Sequence, residues 1–462
     1  MEQALSYDTI STFAQRFESD PASKMRMNAV VKSGIAAVAA NWESKRRMRY
    51  DFSLEVETGK ITNQESSGRC WMFAALNMLR VEIMKKCGLE TFELSQNYIM
   101  FWDKLEKANH FLENILETLD EPLNGRLLHF LLREPMSDGG QWDMFANLVK
   151  KYGVVPKAWM PETFQSSATH KMNHMLILKL RIQAAALREA YEAGRPAEAL
   201  RALKEDALYE IYQILCESLG VPPSEIIFEY RVEPKKKDEK QPEVNPGAVK
   251  SKFFRDGPIT PREFYEKYIG LNLDEYIGLI NAPTRDKPYN RTFTVQYLGN
   301  VREGAIVKYL NVESEAMKKA AIDQLQDGLP VWFGCDVGQM LTEGGAMDFD
   351  AYDYTAALGP DFTFDKAHRL DYGDSLMTHA MIFAGVNLDD QGRPLRWKVE
   401  NSWGDKKGSE GWYIMDDKWF DLFNYQVVIN KRYLDAETLE NWRLEPIILM
   451  PWDPMGSLAY MR

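Results

Sequence analysis

The segment Asn63-Gln64-Glu65-Ser66-Ser67-Gly68-Arg69-Cys70-Trp71-Met72-Phe73 sets a cysteine at the start of a helix, with a glutamine a few residues upstream. Thiolate is the reactive form of cysteine. The unpaired N–H groups of a helix N-terminus stabilise its charge, and such placement can lower a thiol pKa from about 8.5 to roughly 3.5–7.5. Cys70 is therefore a candidate nucleophile, and it needs a base. Thr378-His379-Ala380-Met381-Ile382-Phe383-Ala384-Gly385 reads as a half-buried strand with a histidine near its start. Trp397-Lys398-Val399-Glu400-Asn401-Ser402-Trp403-Gly404 reads as a strand running into a turn, with glycines at 404, 408 and 411. Cysteine, histidine and asparagine in this order can serve as nucleophile, general base and orienting group. The Asn401 amide oxygen can hold one imidazole nitrogen of His379 and leave the other to share a proton with sulfur. Gln64 offers a side-chain donor to the oxyanion of a tetrahedral intermediate, and the Cys70 N–H offers a second.

Taken singly, each of these residues has an ordinary explanation. A free cysteine is often a small buried apolar side chain, a strand histidine a satisfied core residue, and an asparagine at a turn a turn former. Their joint occurrence points to catalysis. The set resembles the papain superfamily of cysteine peptidases through Gln64, Gly68, Cys70, Trp71, Phe73, His379-Ala380, Asn401-Ser402-Trp403-Gly404 and Gly411. A further match, Asp138-Gly139-Gly140-Gln141-Trp142-Asp143, precedes a helix ending at Lys151-Tyr152-Gly153. The resemblance implies that Gly139 and Gly140 lie along the cleft and bind the substrate backbone, where glycine permits close approach. It also implies that Trp403 shields the His379–Asn401 hydrogen bond.

Two departures narrow the resemblance. The cysteine usual just upstream of the nucleophile is absent, and His379 lies roughly 300 residues beyond Cys70 rather than the roughly 130–150 of secreted relatives. With Leu94-Ser95-Gln96-Asn97-Tyr98, Phe101-Trp102-Asp103-Lys104 and the ending Pro451-Trp452-Asp453-Pro454-Met455-Gly456-Ser457-Leu458-Ala459, the chain is similar to the bleomycin hydrolase and aminopeptidase C group. That resemblance implies a cysteine aminopeptidase acting on peptides, a homohexamer gripped by an inserted arm within roughly 165–290, and a tail that enters the cleft near Ala459 and limits access. Tyr460-Met461-Arg462 extend past the place where such tails end; self-trimming to Ala459 is the favoured expectation, and a longer tail that stays and alters or blocks the cleft is the alternative. An amidase or deconjugating hydrolase using the same residues is the alternative within enzymes. An inactive scaffold is the alternative outside them, and the retained Cys70, His379 and Asn401 argue against it.

The elements that must position these residues follow from pattern. The expected fold is α+β, a papain-like core with a helical half and a β-rich half, carrying a large, mainly helical insertion. The Cys70 helix should run to Cys87 and stop at Gly88, burying Met72, Leu76, Leu79 and Ile83. Helices are expected over residues 8–50, 95–133, 141–152 and 170–220, with strands richer from 289 to 428 and Trp332–Val337 buried. The expected division is 1–165 for the N-terminal arm and helical half, 166–290 for the insertion, 291–440 for the β-rich half and 441–462 for the tail.

Length and charge bound the rest. With 462 residues, 45% hydrophobic and 27% charged, the composition is that of an ordinary globular protein with a sizeable core. A net charge of −12 argues against general nucleic-acid binding, and Lys235–Lys240 reads as a solvated loop. No apolar run reaches membrane-spanning length. The start lacks the basic and apolar regions of a secretion signal, and four cysteines at 70, 87, 216 and 335 make no disulfide framework, so a reducing cytoplasm is expected. His170 and His174 stand four apart without a third ligand, and neither a metal nor a cofactor is expected.

Overall fold

The computed structural model describes residues 4–232 and 252–458 of the chain. The Cys70 helix, Cys70–Cys87, is its central element. It ends where Gly88 takes a left-handed conformation (φ 66°), which few side chains tolerate. Burial extends well beyond the expected stripe, to Trp71, Phe73, Ala75, Met78 and Val81. The helix is wrapped on nearly all sides, by the helices Gln96–Glu117 and Trp142–Tyr152 and by the strand His379–Leu388.

That strand lies inside an 11-stranded sheet. Val331–Cys335 pairs antiparallel on one side, with Cys335 opposite His379, and Pro394–Glu400 pairs antiparallel on the other. The burial of Val331–Cys335 on both faces explains its unbroken apolar run. Two packing clusters flank the sheet. One holds the Cys70 helix and its neighbours, and the other holds Trp397, Trp419, Phe420 and the helix Ser314–Gln326. The helical and β-rich halves are joined by a fully buried ion pair, Arg80 Nη2 to Glu400 Oε1 at 2.7 Å, which Asn77 Nδ2 also reaches at 2.7 Å. Glu400 immediately precedes Asn401, so the Cys70 helix and the asparagine turn are clamped at adjacent points.

Residues 170–219 form the expected helical pair, His170–Glu192 and Ala197–Leu219, packed against Gln96–Glu117 through Leu176, Leu180, Ile211 and Leu215. Ile226–Val232 and Lys252–Ile259 then make a separate two-stranded ribbon. One boundary needs correction. Tyr276–Ile280, assigned by sequence to the insertion, pairs with Asn424–Asn430 as a strand of the main sheet. Its run of five buried residues reads equally well as either, because period alone does not reveal a strand's partner. The N-terminal helices Tyr7–Ser19 and Pro21–Ser33 bury no residue, leaving Tyr7 89% exposed and Phe13, Met25 and Val31 also outside. The Lys235–Lys240 loop lies outside the described residues. No helix among the described residues is long and apolar enough to cross a membrane.

Candidate active site

Cys70 is 1% exposed, and its sulfur accepts hydrogen bonds from backbone N–H groups including that of Ala380. Ala380 follows His379, so the helix N-terminus and the start of the His379 strand meet at the sulfur. His379 Nε2 lies 2.9 Å from Asn401 Oδ1, which also accepts the Ser402 N–H at 2.8 Å. An amide oxygen only accepts, so Nε2 carries the proton. Nδ1 is then left with its lone pair, buried and without a hydrogen-bond partner among the described residues. The Trp403 ring lies 4.8 Å from the imidazole, centroid to centroid. The two rings are tilted by 35° to each other.

Gln64 is buried and held on both ends of its amide. Ser402 Oγ donates to Oε1 at 2.7 Å, and Nε2 donates to the Ser67 carbonyl at 2.6 Å. One amide hydrogen remains. The Gln64 N–H also reaches the Ser402 carbonyl at 2.8 Å, so the loop before Cys70 is stitched to the turn after Asn401.

Burial, not the helix N-terminus, dominates the electrostatics of the apoprotein. It pushes the Cys70 thiol up to about 12 against the backbone N–H groups that favour thiolate. It likewise pushes His379 down to about 4, although the Asn401 hydrogen bond opposes it. Taken singly, each group is thus held by burial toward its neutral form. Each shift reflects the cost of burying a single charge. A proton passed from sulfur to Nδ1 creates two opposite charges together, a different and smaller cost.

Gly139 and Gly140 are buried. A Cβ on Gly140 would stand 2.4 Å from the Trp71 ring. The Gly140 N–H and C=O make no hydrogen bond among the described residues, whereas the Gly139 carbonyl accepts from Lys107 Nζ at 2.5 Å. Gly140→Ala is expected to destabilise the fold by about 1–3 kcal/mol through overpacking against Trp71. A lowered melting temperature together with a raised KM would meet the expectation, and an unchanged melting curve would contradict it.

The sequence did not signal several residues that hold this arrangement. Asp138 Oδ2 accepts the Gly68 N–H at 3.0 Å and the Thr169 hydroxyl at 2.5 Å, and Oδ1 pairs with Lys104 Nζ at 2.7 Å. These partners hold its carboxyl far below the usual carboxylate range, although burial alone would raise it. Buried Arg69 pairs with Glu162 at 2.9 Å and donates to Ser67 Oγ at 2.9 Å. Asp138, Lys104 and Arg69 stand inside the quoted segments, and that position is the signal that could have marked them.

The tail reaches the same region. Ile447–Leu449 pairs parallel with Arg291–Val295, and Asp453 Oδ2 lies 2.9 Å from Lys287 Nζ. Ser457 is then clasped from both sides. Gln141 Nε2 donates to its carbonyl at 2.6 Å, and its hydroxyl donates to the Met377 carbonyl at 2.7 Å. Gln141 adjoins Gly140, and Met377 stands two residues before His379. A cavity of about 520 Å³ lies alongside, with Ser457 and Leu458 in one wall and Lys107, His110 and Leu376 among the others. Ala459 and Tyr460–Arg462 lie outside the described residues.

A thiol, an imidazole and an amide brought together where a central helix meets the middle of a sheet are the marks of papain-like cysteine peptidases, and this chain is one. It belongs to the Peptidase C1-like family, whose model matches residues 4–456. The chain is 48% identical over 460 residues to aminopeptidase C of Listeria monocytogenes serovar 1/2a, covering 99% of this chain and 100% of that protein. It is 38% identical over 465 residues to human bleomycin hydrolase, covering 98% and 99% respectively. The crystal structure of PepW from Lactobacillus rhamnosis HN001 superposes with a TM-score of 0.93 at 46% identity, covering 99% of this chain and 100% of that one.

Proposed function

We propose that this cysteine peptidase is an aminopeptidase, releasing N-terminal residues from peptides with Cys70 as nucleophile, His379 as base and Asn401 as its orienting group. The observation that carries the exopeptidase reading is Ser457, held by Gln141, which adjoins Gly140, and by Met377, two residues before His379. A tail seated there leaves room for little of a substrate upstream of the scissile bond.

In the reaction, the Cys70 proton passes to His379 Nδ1 and sulfur attacks the carbonyl carbon. The oxyanion takes the remaining Gln64 amide hydrogen and the Cys70 N–H. The imidazolium, oriented by Asn401, gives its proton to the leaving amine. Water then loses a proton to Nδ1 and attacks the thioester, releasing the amino acid and restoring the thiol. The Gly140 peptide group is the proposed backbone partner of the substrate. Ala459 is the proposed terminus after self-trimming, its carboxylate facing the substrate ammonium.

The exposed N-terminal helices, with apolar Phe13, Met25 and Val31 outside, support self-association, which we take to be a homohexamer. A reducing, cytoplasmic setting is the proposed location, because four cysteines in 462 residues are too few for a disulfide framework.

The test is hydrolysis of a fluorogenic amino-acid amide and its Nα-acetylated twin under reducing conditions. We expect cleavage of the free amine alone, with a ratio of kcat/KM above about 10². Equal cleavage of both would make the protein an endopeptidase, and cleavage of neither would return attention to other amides.

A further inference from the structure

Two lysines on one face of the helix Gln96–Glu117 are buried beside the site, where lysine is almost never found without a partner. Lys104 and Lys107 stand one turn apart, with Asp103 and Asp138 as their counter-ions. All four side chains are at most 6% exposed, and the group is neutral overall. Lys107 Nζ makes three contacts: Asp103 Oδ2 at 2.7 Å, the Ser137 carbonyl at 3.0 Å and the Gly139 carbonyl at 2.5 Å. Its ammonium also lies 5.3 Å from the Trp71 ring centroid. Lys104 Nζ reaches the Ser137 carbonyl at 2.9 Å and Asp138 Oδ1 at 2.7 Å. Asp138 in turn holds the Gly68 N–H and, through its own carbonyl, the Trp71 indole at 2.7 Å.

These contacts divide between two loops. Lys107 acts on the Gly139–Gly140 segment, and Lys104 acts through Asp138 on the loop that carries Cys70. Stability alone gives weak reason for the arrangement, because buried ion pairs are often no better than apolar side chains of the same size. Their placement does have a reason: both ammonium groups end on the Ser137–Gly140 segment.

We propose that Lys107 is a positioning residue, which fixes the Gly139 carbonyl so that the neighbouring Gly140 peptide group faces the substrate backbone at hydrogen-bonding distance. The inference rests on the aminopeptidase reading and on Gly140 as the substrate's backbone partner. Without the ammonium, the Gly139–Gly140 peptide is free to rotate. The backbone hydrogen bond to substrate is lost, while Cys70, held through Asp138 and Lys104, stays in place.

The test uses the full chain with Lys107→Met and with the charge-neutral double variant Asp103→Asn/Lys107→Met, which leaves no buried carboxylate unpaired if the single variant fails to fold. KM and kcat are measured on a free-amine peptide, and the second-order rate of Cys70 alkylation by iodoacetamide is measured separately. The expected result is a KM raised about tenfold, the worth of one lost hydrogen bond, with kcat and the alkylation rate within about twofold of wild type. Lys107→Arg, which keeps the charge, should restore KM in part. Unchanged KM in a folded double variant would overturn the proposal, as would a parallel fall in KM-independent alkylation, which would mean a general structural role. Wild-type protein that cleaves no free-amine peptide would instead refute the aminopeptidase reading itself.

Discussion

Replacing Cys70 with alanine is expected to remove peptide hydrolysis to background, a fall of about 10⁶ in kcat, the order found when a nucleophile that works as a unit with its base is deleted. The sulfur is the atom on which the rest of the site converges. The His379 strand brings Ala380 N–H to it, and the helix N-terminus brings its own backbone N–H groups. Alanine keeps the helix former and loses only one buried sulfur, so the melting temperature should move by no more than a few degrees. The contrast between lost activity and retained melting is the measurement. Retained turnover in a protease-free preparation would remove Cys70 from the mechanism. The same variant, compared with wild type by intact mass, reports on self-trimming: a mass difference beyond the substitution itself is expected.

Ending the chain at Gly456 should have the next largest effect. Removal of Ser457 breaks its hydrogen bonds to Gln141 Nε2 and the Met377 carbonyl. The anchors before it remain, namely Asp453 on Lys287, buried Met455, and Trp452, whose ring lies 3.7 Å from the Arg126 guanidinium. The truncated protein should therefore fold with the cleft open at that end. Hydrolysis of the acetylated substrate is expected to rise at least 10²-fold, because nothing then excludes residues upstream of the scissile bond. Hydrolysis of the free-amine substrate should fall about tenfold with loss of the proposed terminal carboxylate partner of its ammonium. Parallel assays of both substrates on wild type and truncation provide the check. A folded, active truncation that still rejects the blocked substrate would show that the tail does not set the specificity.

Much of the fold was legible because it is encoded locally. Cys70–Cys87 carries its own stop at Gly88, and the two helices of 170–219 carry their own periodicity. The boundary near Tyr276 was not legible, because a buried five-residue strand looks the same whether it closes an insertion or joins the main sheet. The exposure of the N-terminal helices was hidden as well. Their apolar residues have the types of a core face, yet none of them is buried among the described residues.

By itself, the sequence marked the candidate groups of the site: Cys70 at a helix start, His379 at a strand start, Asn401 at a turn, and Gln64 and Trp403 beside them. Residue type and short-range spacing are enough for that, since helix starts, strands and turns are set by neighbours in the chain. Tertiary structure alone decided the electrostatics and the supports. It buried Cys70 and His379, and burial favours the neutral form of each group taken singly. It paired Lys107 with the Gly139 carbonyl, Asp138 with the Gly68 N–H, and Ser457 with Gln141. Desolvation depends on everything packed around a group, and these partners lie tens to hundreds of residues apart in the chain. No local pattern records either one.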